Sequence, residues 1–207
     1  MINWANLPIR FVIALELLAM GMVRVHFGAP RRKQAVEGNQ AESREPAWLT
    51  GTLGVIALLH FGAIGAYLVN PSFLQWSAFE AAAIVRWIGI ALSSLGIVGE
   101  IWSAAALGTS YSPMLRVAEE HVVVMAGPYR WIRHPLYAFW LPVMAGLGVA
   151  TGNWFIIASG TVLITVLAAI RVPREEAMML QGLGESYRNY MEHTGRFIPR
   201  WRTRQAK

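Results

Sequence analysis

Five apolar stretches, each near the roughly 20 residues a helix needs to cross a bilayer, set the terms for this chain of 207 residues. They cover 7–27, 48–69, 81–107, 135–150 and 154–172. The first is interrupted by Arg10, Glu16 and Arg24, and the second carries only His60. The third has Arg86 near its entry and Glu100 inside. The fourth is short, which implies tilt or a locally thinned bilayer. Between the fourth and fifth stand only Thr151-Gly152-Asn153, so these two are expected to form an antiparallel hairpin. Apolar residues make up 55% of the chain and charged residues 14%. An ordinary soluble domain carries about 25% charged residues. The solvent that suits this composition is lipid. The expected fold class is all-α: an integral membrane bundle of five transmembrane helices with a cytoplasmic C-terminal helix.

Charge gives the expected orientation. Of the 18 basic residues, all but Arg10 and Arg86 fall on one side of a five-span arrangement. The positive-inside rule makes that side cytoplasmic, with the N-terminus outside and the C-terminus inside. The net charge of +6 does not point to nucleic acid, because the basic residues lie between apolar spans. The C-terminal arginines are expected to meet anionic membrane lipids. Trp4, Trp48, Trp76, Trp154 and Trp201 stand near the span ends, as an interfacial aromatic belt does. The first span is read as retained. Residues 1–80 are read as a two-span segment and 81–207 as a core carrying the chemistry. Residues 28–47 are expected to form a polar connector, and 175–194 one amphipathic helix with apolar residues three and four apart. Glu16, His60 and Glu100 are expected to make interhelical hydrogen bonds.

The residue inventory removes several chemistries. With no cysteine, disulfides, zinc–thiolate sites and cysteine nucleophiles are excluded. All twelve acids are glutamate, which rules out aspartyl phosphates. No metal site is expected. The unusual segment is HVVVMAGPYRWIRHPLY, residues 121–137. Gly127-Pro128 is a turn signal, and Pro135 suits the first turn of a helix. Arg130, Arg133 and His134 therefore gather at the N-terminal mouth of the fourth span, an end that attracts anions. Arg171-Val-Pro-Arg-Glu175-Glu176 leaves the fifth span, which the hairpin places beside that mouth. An arginine-rich mouth facing a glutamate pair suits a zwitterionic ligand: carboxylate toward arginine, ammonium toward glutamate. The residues themselves do not name it.

The stretches Leu107-Gly108, GPYRWIRHPLY and REEAMMLQGLGESYRNYMEHTGRFIP resemble the isoprenylcysteine carboxyl methyltransferase family, which is related to membrane phospholipid N-methyltransferases. The resemblance covers roughly residues 95–200. The glycine that often follows the motif's tyrosine is Ala138 here. The resemblance implies an S-adenosyl-L-methionine pocket at the cytoplasmic face. Its contacts would fall on His121, Val122, Val123, Val124, Tyr129, His134, Pro135, Leu136, Tyr137 and Glu175, with Arg133 and Glu176 beside them. Arg171 matches the position that orients the methyl acceptor, and Glu175 joins it in the catalytic pair. The expected acceptor is a lipophilic or lipidated molecule arriving through the bilayer, with the carboxylate of an isoprenylcysteine-like substrate preferred. A carboxylate is already ionised at neutral pH and needs no base, whereas an amine must first lose a proton. Phospholipid N-methylation, small-thiol S-methylation, an NADPH-dependent sterol-type reduction and a non-enzymatic membrane scaffold are the other readings.

Overall fold

A computed structural model describes residues 7–37, 47–108 and 123–200, with side chains for 7–27, 48–108 and 123–200. Six α-helices follow in order: α1 Leu7–Glu37, α2 Ala47–Val69, α3 Ala83–Leu107, α4 Pro135–Thr151, α5 Trp154–Leu183 and α6 Glu185–His193. Short 3-10 turns occupy Pro71–Ser77 and Gly127–Arg130. Among the described residues there are no β-strands, only isolated bridges.

Among the described residues, three helices are long and apolar enough to cross a membrane: Trp48–Val69, Ala83–Leu107 and Trp154–Leu183. Two expected spans fall short of that standard for separate reasons. α4 is apolar but has only 17 residues. Residues 7–27 of α1 carry three charges, Arg10, Glu16 and Arg24. α1 nevertheless turns Phe11, Leu18, Met22 and Val25 outward, each more than half exposed.

α3 and α4 make the most extensive helix pair, and α4 pairs next with α5. The α3–α4 seam is lined by small residues: an added Cβ at Gly89 would sit 2.8 Å from the Gly146 carbonyl oxygen. Such close approach holds helices together where no hydrophobic effect operates between them. α1 crosses α3, and α2 lies against α5. Both crossings carry a polar tie. Glu16 accepts from Ser93 Oγ and Ser94 Oγ, at 2.8 and 2.6 Å to Oε1. His60 Nδ1 lies 3.0 Å from Ser159 Oγ. Both are interhelical bonds of the kind expected. Glu100 is buried with Oε2 unpartnered, in contact with the Trp140 side chain.

The α4–α5 hairpin turns at Gly152 (φ 63°). Asn153 caps α5, its side chain accepting from Ile156 N, while its amide donates to the Leu74 carbonyl and Ser77 Oγ. Trp76 and Trp154 stack edge to face at 5.6 Å beside this turn. Arg10 and Arg86 also work at this end. Arg10 donates to the Leu68 and Val69 carbonyls closing α2, and Arg86 to the Ala150 carbonyl in the last turn of α4. The two arginines on the sparsely basic side are thus engaged by helix carbonyls.

Two expectations change. α1 continues past residue 27 to Glu37 instead of giving way to a connector; the Arg, Lys, Gln, Ala and Glu that follow are good helix formers. The single amphipathic helix over 175–194 is two pieces. α5 runs unbroken through Pro173 to Leu183, and Gly184 (φ 53°, ψ −125°) separates it from α6. That backbone conformation is open to glycine and closed to most residues. Trp4, Trp201 and the connector residues 38–46 lie outside the described residues.

Candidate active site

The site is assembled at the end of the bundle opposite the Gly152 turn. Three pieces of chain build it. The first is the turn Gly127–Arg130. Gly127 has φ 55° and packs against Ala106 and Trp102 of α3. Tyr129 is buried, and its carbonyl accepts a 2.6 Å hydrogen bond from Tyr190 Oη of α6. The second piece is extended: residues 131–134 run alongside 195–196. Gly195 N donates to Trp131 O at 3.0 Å, Arg133 N to Gly195 O at 2.8 Å and His134 N to Arg196 O at 3.0 Å. These bonds satisfy main-chain groups that the preceding turn leaves open. Pro135 then starts α4 at the position where a missing N–H costs nothing. The third piece is the end of α5, which carries Arg171, Glu175 and Glu176.

His134 lies between the two glutamates. Its Nδ1 is 3.3 Å from Glu175 Oε2 and its Nε2 3.3 Å from Glu176 Oε1. A carboxylate at each nitrogen suits an imidazolium, which donates at both. Burial works against that charge, but the hydrogen bonds to Glu175 and Glu176 and their negative charge outweigh it, so the His134 pKa rises above its ordinary value. The other groups around it are Arg133, Arg196, Tyr137, Arg171 and Tyr187. A raised folded-state pKa stabilises the fold fully below the unfolded value near 6.5 and loses that contribution as pH climbs through the folded value. The thermal midpoint of purified protein is therefore expected to fall as pH rises from about 6.5 upward, and His134→Gln to flatten that slope. An unchanged slope in the variant sinks the assignment.

The adjacent glutamates do different jobs. Glu176 is nearly closed off, its side chain 5% exposed. It accepts from Arg133 Nε at 3.0 Å, from Arg196 Nε at 3.2 Å and from Arg196 Nη2. With His134 it has no room for a ligand cation. Glu175 keeps 28% of its side chain exposed and accepts a 2.6 Å hydrogen bond from Tyr137 Oη. Arg171 interacts with that same hydroxyl. Of the two, only Glu175 has accessible carboxylate surface for an ammonium.

The structure thus gathers Arg133, His134, Pro135, Tyr137, Arg171, Glu175 and Glu176 at one end, with Tyr129 held close by. Leu136 turns the other way, packing with Val23, Phe27, Ala104 and Leu107. Val123 and Val124 are half-buried in the chain leading to the turn. His121 and Val122 lie outside the described residues. Arg130 stands apart from the ion cluster, its guanidinium 4.4 Å over the Trp131 ring. Sequence reasoning counted Arg196 among the C-terminal arginines expected to meet anionic lipid and Tyr190 among the apolar residues of an amphipathic helix, and placed neither at the site. Arg196 is far from Glu176 along the chain and joins it only because Thr194-Gly195-Arg196 folds back.

This arrangement defines a class: an all-helical, membrane-embedded protein with a buried ion cluster at one end of its bundle. Comparison with known proteins then narrows it. Residues 87–181 match the model of the isoprenylcysteine carboxyl methyltransferase family, so the resemblance stated from the sequence holds over the stretch from α3 into α5. A protein-S-isoprenylcysteine O-methyltransferase of Tribolium castaneum is 26% identical over 72% of this chain and 64% of its own length. Protein-S-isoprenylcysteine O-methyltransferase A of Arabidopsis thaliana is 32% identical over 50% of this chain and 55% of its own. The fold is also that of a solved eukaryotic intramembrane Ras methyltransferase of the isoprenylcysteine carboxyl type, with a TM-score of 0.54 and 22% identity over 76% of this chain and 54% of that one. The chain therefore spans between half and two thirds of the length of these relatives.

Proposed function

We propose that this chain is a membrane-embedded methyltransferase that uses S-adenosyl-L-methionine and methylates a lipophilic acceptor, with the carboxylate of an isoprenylcysteine-like molecule preferred. The observation that carries the reading is the meeting of His134 and Glu175 at 3.3 Å, beside Tyr137 and Arg171, at one end of the bundle. The relatives' names supply the reaction; the residues give it a physical basis. Glu175 offers an accessible carboxylate for the donor's ammonium. His134, Pro135 and Tyr137 form the wall beside it, with Tyr129 and the Val123-Val124 segment on the approach. In this reading all five apolar helices span the bilayer and the site end faces the cytoplasm.

The donor's methyl is already activated, so the protein has only to align acceptor, methyl and sulfur and exclude water. Once bound, the donor would supply its methyl to a carboxylate oxygen of the acceptor, with its carbon–sulfur bond broken. The products are a methyl ester and a neutral thioether, and no proton moves. Arg171 holds the acceptor carboxylate, and Tyr137 links Arg171 to Glu175. Acceptors reach the site through the bilayer, which suits the lipid-facing apolar residues on α1 and α3.

The test is calorimetric titration of detergent-purified protein with S-adenosylhomocysteine and, separately, NADPH. The expected result is binding of the first only, weakened about tenfold or more by His134→Ala and by Glu175→Ala, each of which removes a charged hydrogen-bonding group. Binding of NADPH alone overturns the reading. With labelled donor and a prenylated cysteine as acceptor, Arg171→Ala is expected to raise acceptor KM. Unchanged methylation by that variant removes the role given to Arg171.

A further inference from the structure

A zwitterionic donor brings a carboxylate as well as an ammonium, and the sequence alone left open which arginine receives it. The structure narrows the choice. Arg133 is 10% exposed at its side chain and is spent on Glu176 and on the Met191 and Thr194 carbonyls. Arg171 is engaged with Tyr137. Arg130 lies on Trp131. Arg188 pairs with Glu185 on the exposed face of α6, and Arg200 donates to the Met191 and Glu192 carbonyls. Arg196 differs from all of these. It belongs to the His134 cluster through Glu176, which takes its Nε and Nη2, yet 48% of its side chain stays exposed.

Its backbone is fixed as firmly as its guanidinium. The Arg196 carbonyl accepts from His134 N, and the Phe197 ring lies 6.1 Å from the His134 ring. Gly195 just before it admits no side chain, because a Cβ there would fall 1.7 Å from the Ile198 carbonyl oxygen. A guanidinium held along one edge by a buried carboxylate is a preorganised anion receptor: its position is set before the ligand arrives, and arginine geometry matches a carboxylate.

We propose that Arg196 receives the carboxylate of the donor's amino acid end, with Glu176 as the positioning residue that aims it. The inference rests on the donor assigned above and adds the residue that reads the donor's acidic group.

The experiment compares two ligands on the full chain in detergent by calorimetry. S-adenosylhomocysteine carries the amino acid end, and 5′-methylthioadenosine lacks it. Arg196→Ala is expected to weaken the first by about tenfold or more and leave the second unchanged. Arg196→Lys restores part of the loss, since it keeps the charge but not the fork. Arg174→Ala, a nearby exposed arginine outside the cluster, changes neither. Equal loss of both ligands in Arg196→Ala and Arg196→Lys means the residue only holds the C-terminal segment in place, and the proposal is wrong. Undiminished binding of S-adenosylhomocysteine by Arg196→Ala overturns it directly. If the unaltered protein binds 5′-methylthioadenosine but gains nothing from the amino acid end, the carboxylate role fails while the nucleoside reading survives. If it binds neither, both fail.

Discussion

Glu176→Ala is expected to destabilise the fold by about 3–5 kcal/mol, the range seen when one partner of a buried ion pair is removed, and to abolish donor binding with it. The carboxylate is shared by three cations: Arg133 at 3.0 Å, His134 at 3.3 Å and Arg196. Alanine leaves Arg133 and His134 in place, with side chains 10% and 7% exposed, and removes the charge that compensates them. The buried Arg133 then keeps only the Met191 and Thr194 carbonyls as partners. His134 has a route to neutrality: it releases its proton, after which only one ring nitrogen can donate to Glu175. Glu176→Gln preserves the shape and one acceptor oxygen, so an intermediate loss is expected. The loss is not confined to side chains. The cluster fastens 131–134, the start of α4, the end of α5 and Arg196 to one another, so the segment that walls the site loosens with it. Thermal midpoints in detergent, read beside S-adenosylhomocysteine titrations, check this. A Glu176→Ala protein that melts with the unaltered one shows that the cluster is worth no more than an exposed ion pair, about 0–1 kcal/mol.

That prediction marks where the sequence stops being informative. Glu175 and Glu176 are adjacent and identical, and a reading from the chain treats both as ligands for a cation. On a helix, neighbours point about 100° apart. One turns to Tyr137 and stays partly exposed, the other to Arg133 and the returning C-terminal segment. Local signals were legible where a residue type has one physical use. Gly127-Pro128 made a turn, Pro135 began a helix, and Gly152-Asn153 closed a hairpin whose register carried Glu175 to His134. The boundary at Gly184 was harder to see. The fifth apolar stretch ends at 172, yet α5 runs on through Pro173, and the break waits for the glycine that adopts φ 53°. Arg196 was illegible for a different reason. Its partner stands on another element, and the pairing of 195–196 with 131–134 uses main-chain bonds that leave no pattern in the side chains. Leu136 shows the reverse limit. It stands between two site residues in the motif, but the helix turns it toward Val23 and Ala104.

The seam between α3 and α4 carries the other large expected effect. Gly146→Ala adds a single methyl, and that methyl has nowhere to go. Its carbon would lie 2.6 Å from the Gly89 carbonyl oxygen and 2.6 Å from Ser93 N, both main-chain atoms of α3. A flexible side chain would swing aside; two helix backbones have to separate. Separation also reaches α1, because Ser93 is one of the two serines that bind Glu16. The cost is expected to be about 3 kcal/mol, the upper part of the range for overpacking a tight interior. The expected signs are a lower thermal midpoint and a loss of monodisperse protein on size exclusion. Alanine favours a helix over glycine by about 1 kcal/mol, so intrinsic propensity pushes the other way and any loss belongs to the seam. Gly62→Ala supplies the control: it sits on exposed α2 with nothing within 4 Å of an added Cβ, and no loss is expected there. If Gly146→Ala behaves like Gly62→Ala, α3 and α4 do not approach as closely as drawn. The start of α4, where His134 stands, would then lack the rigid footing on which the site depends.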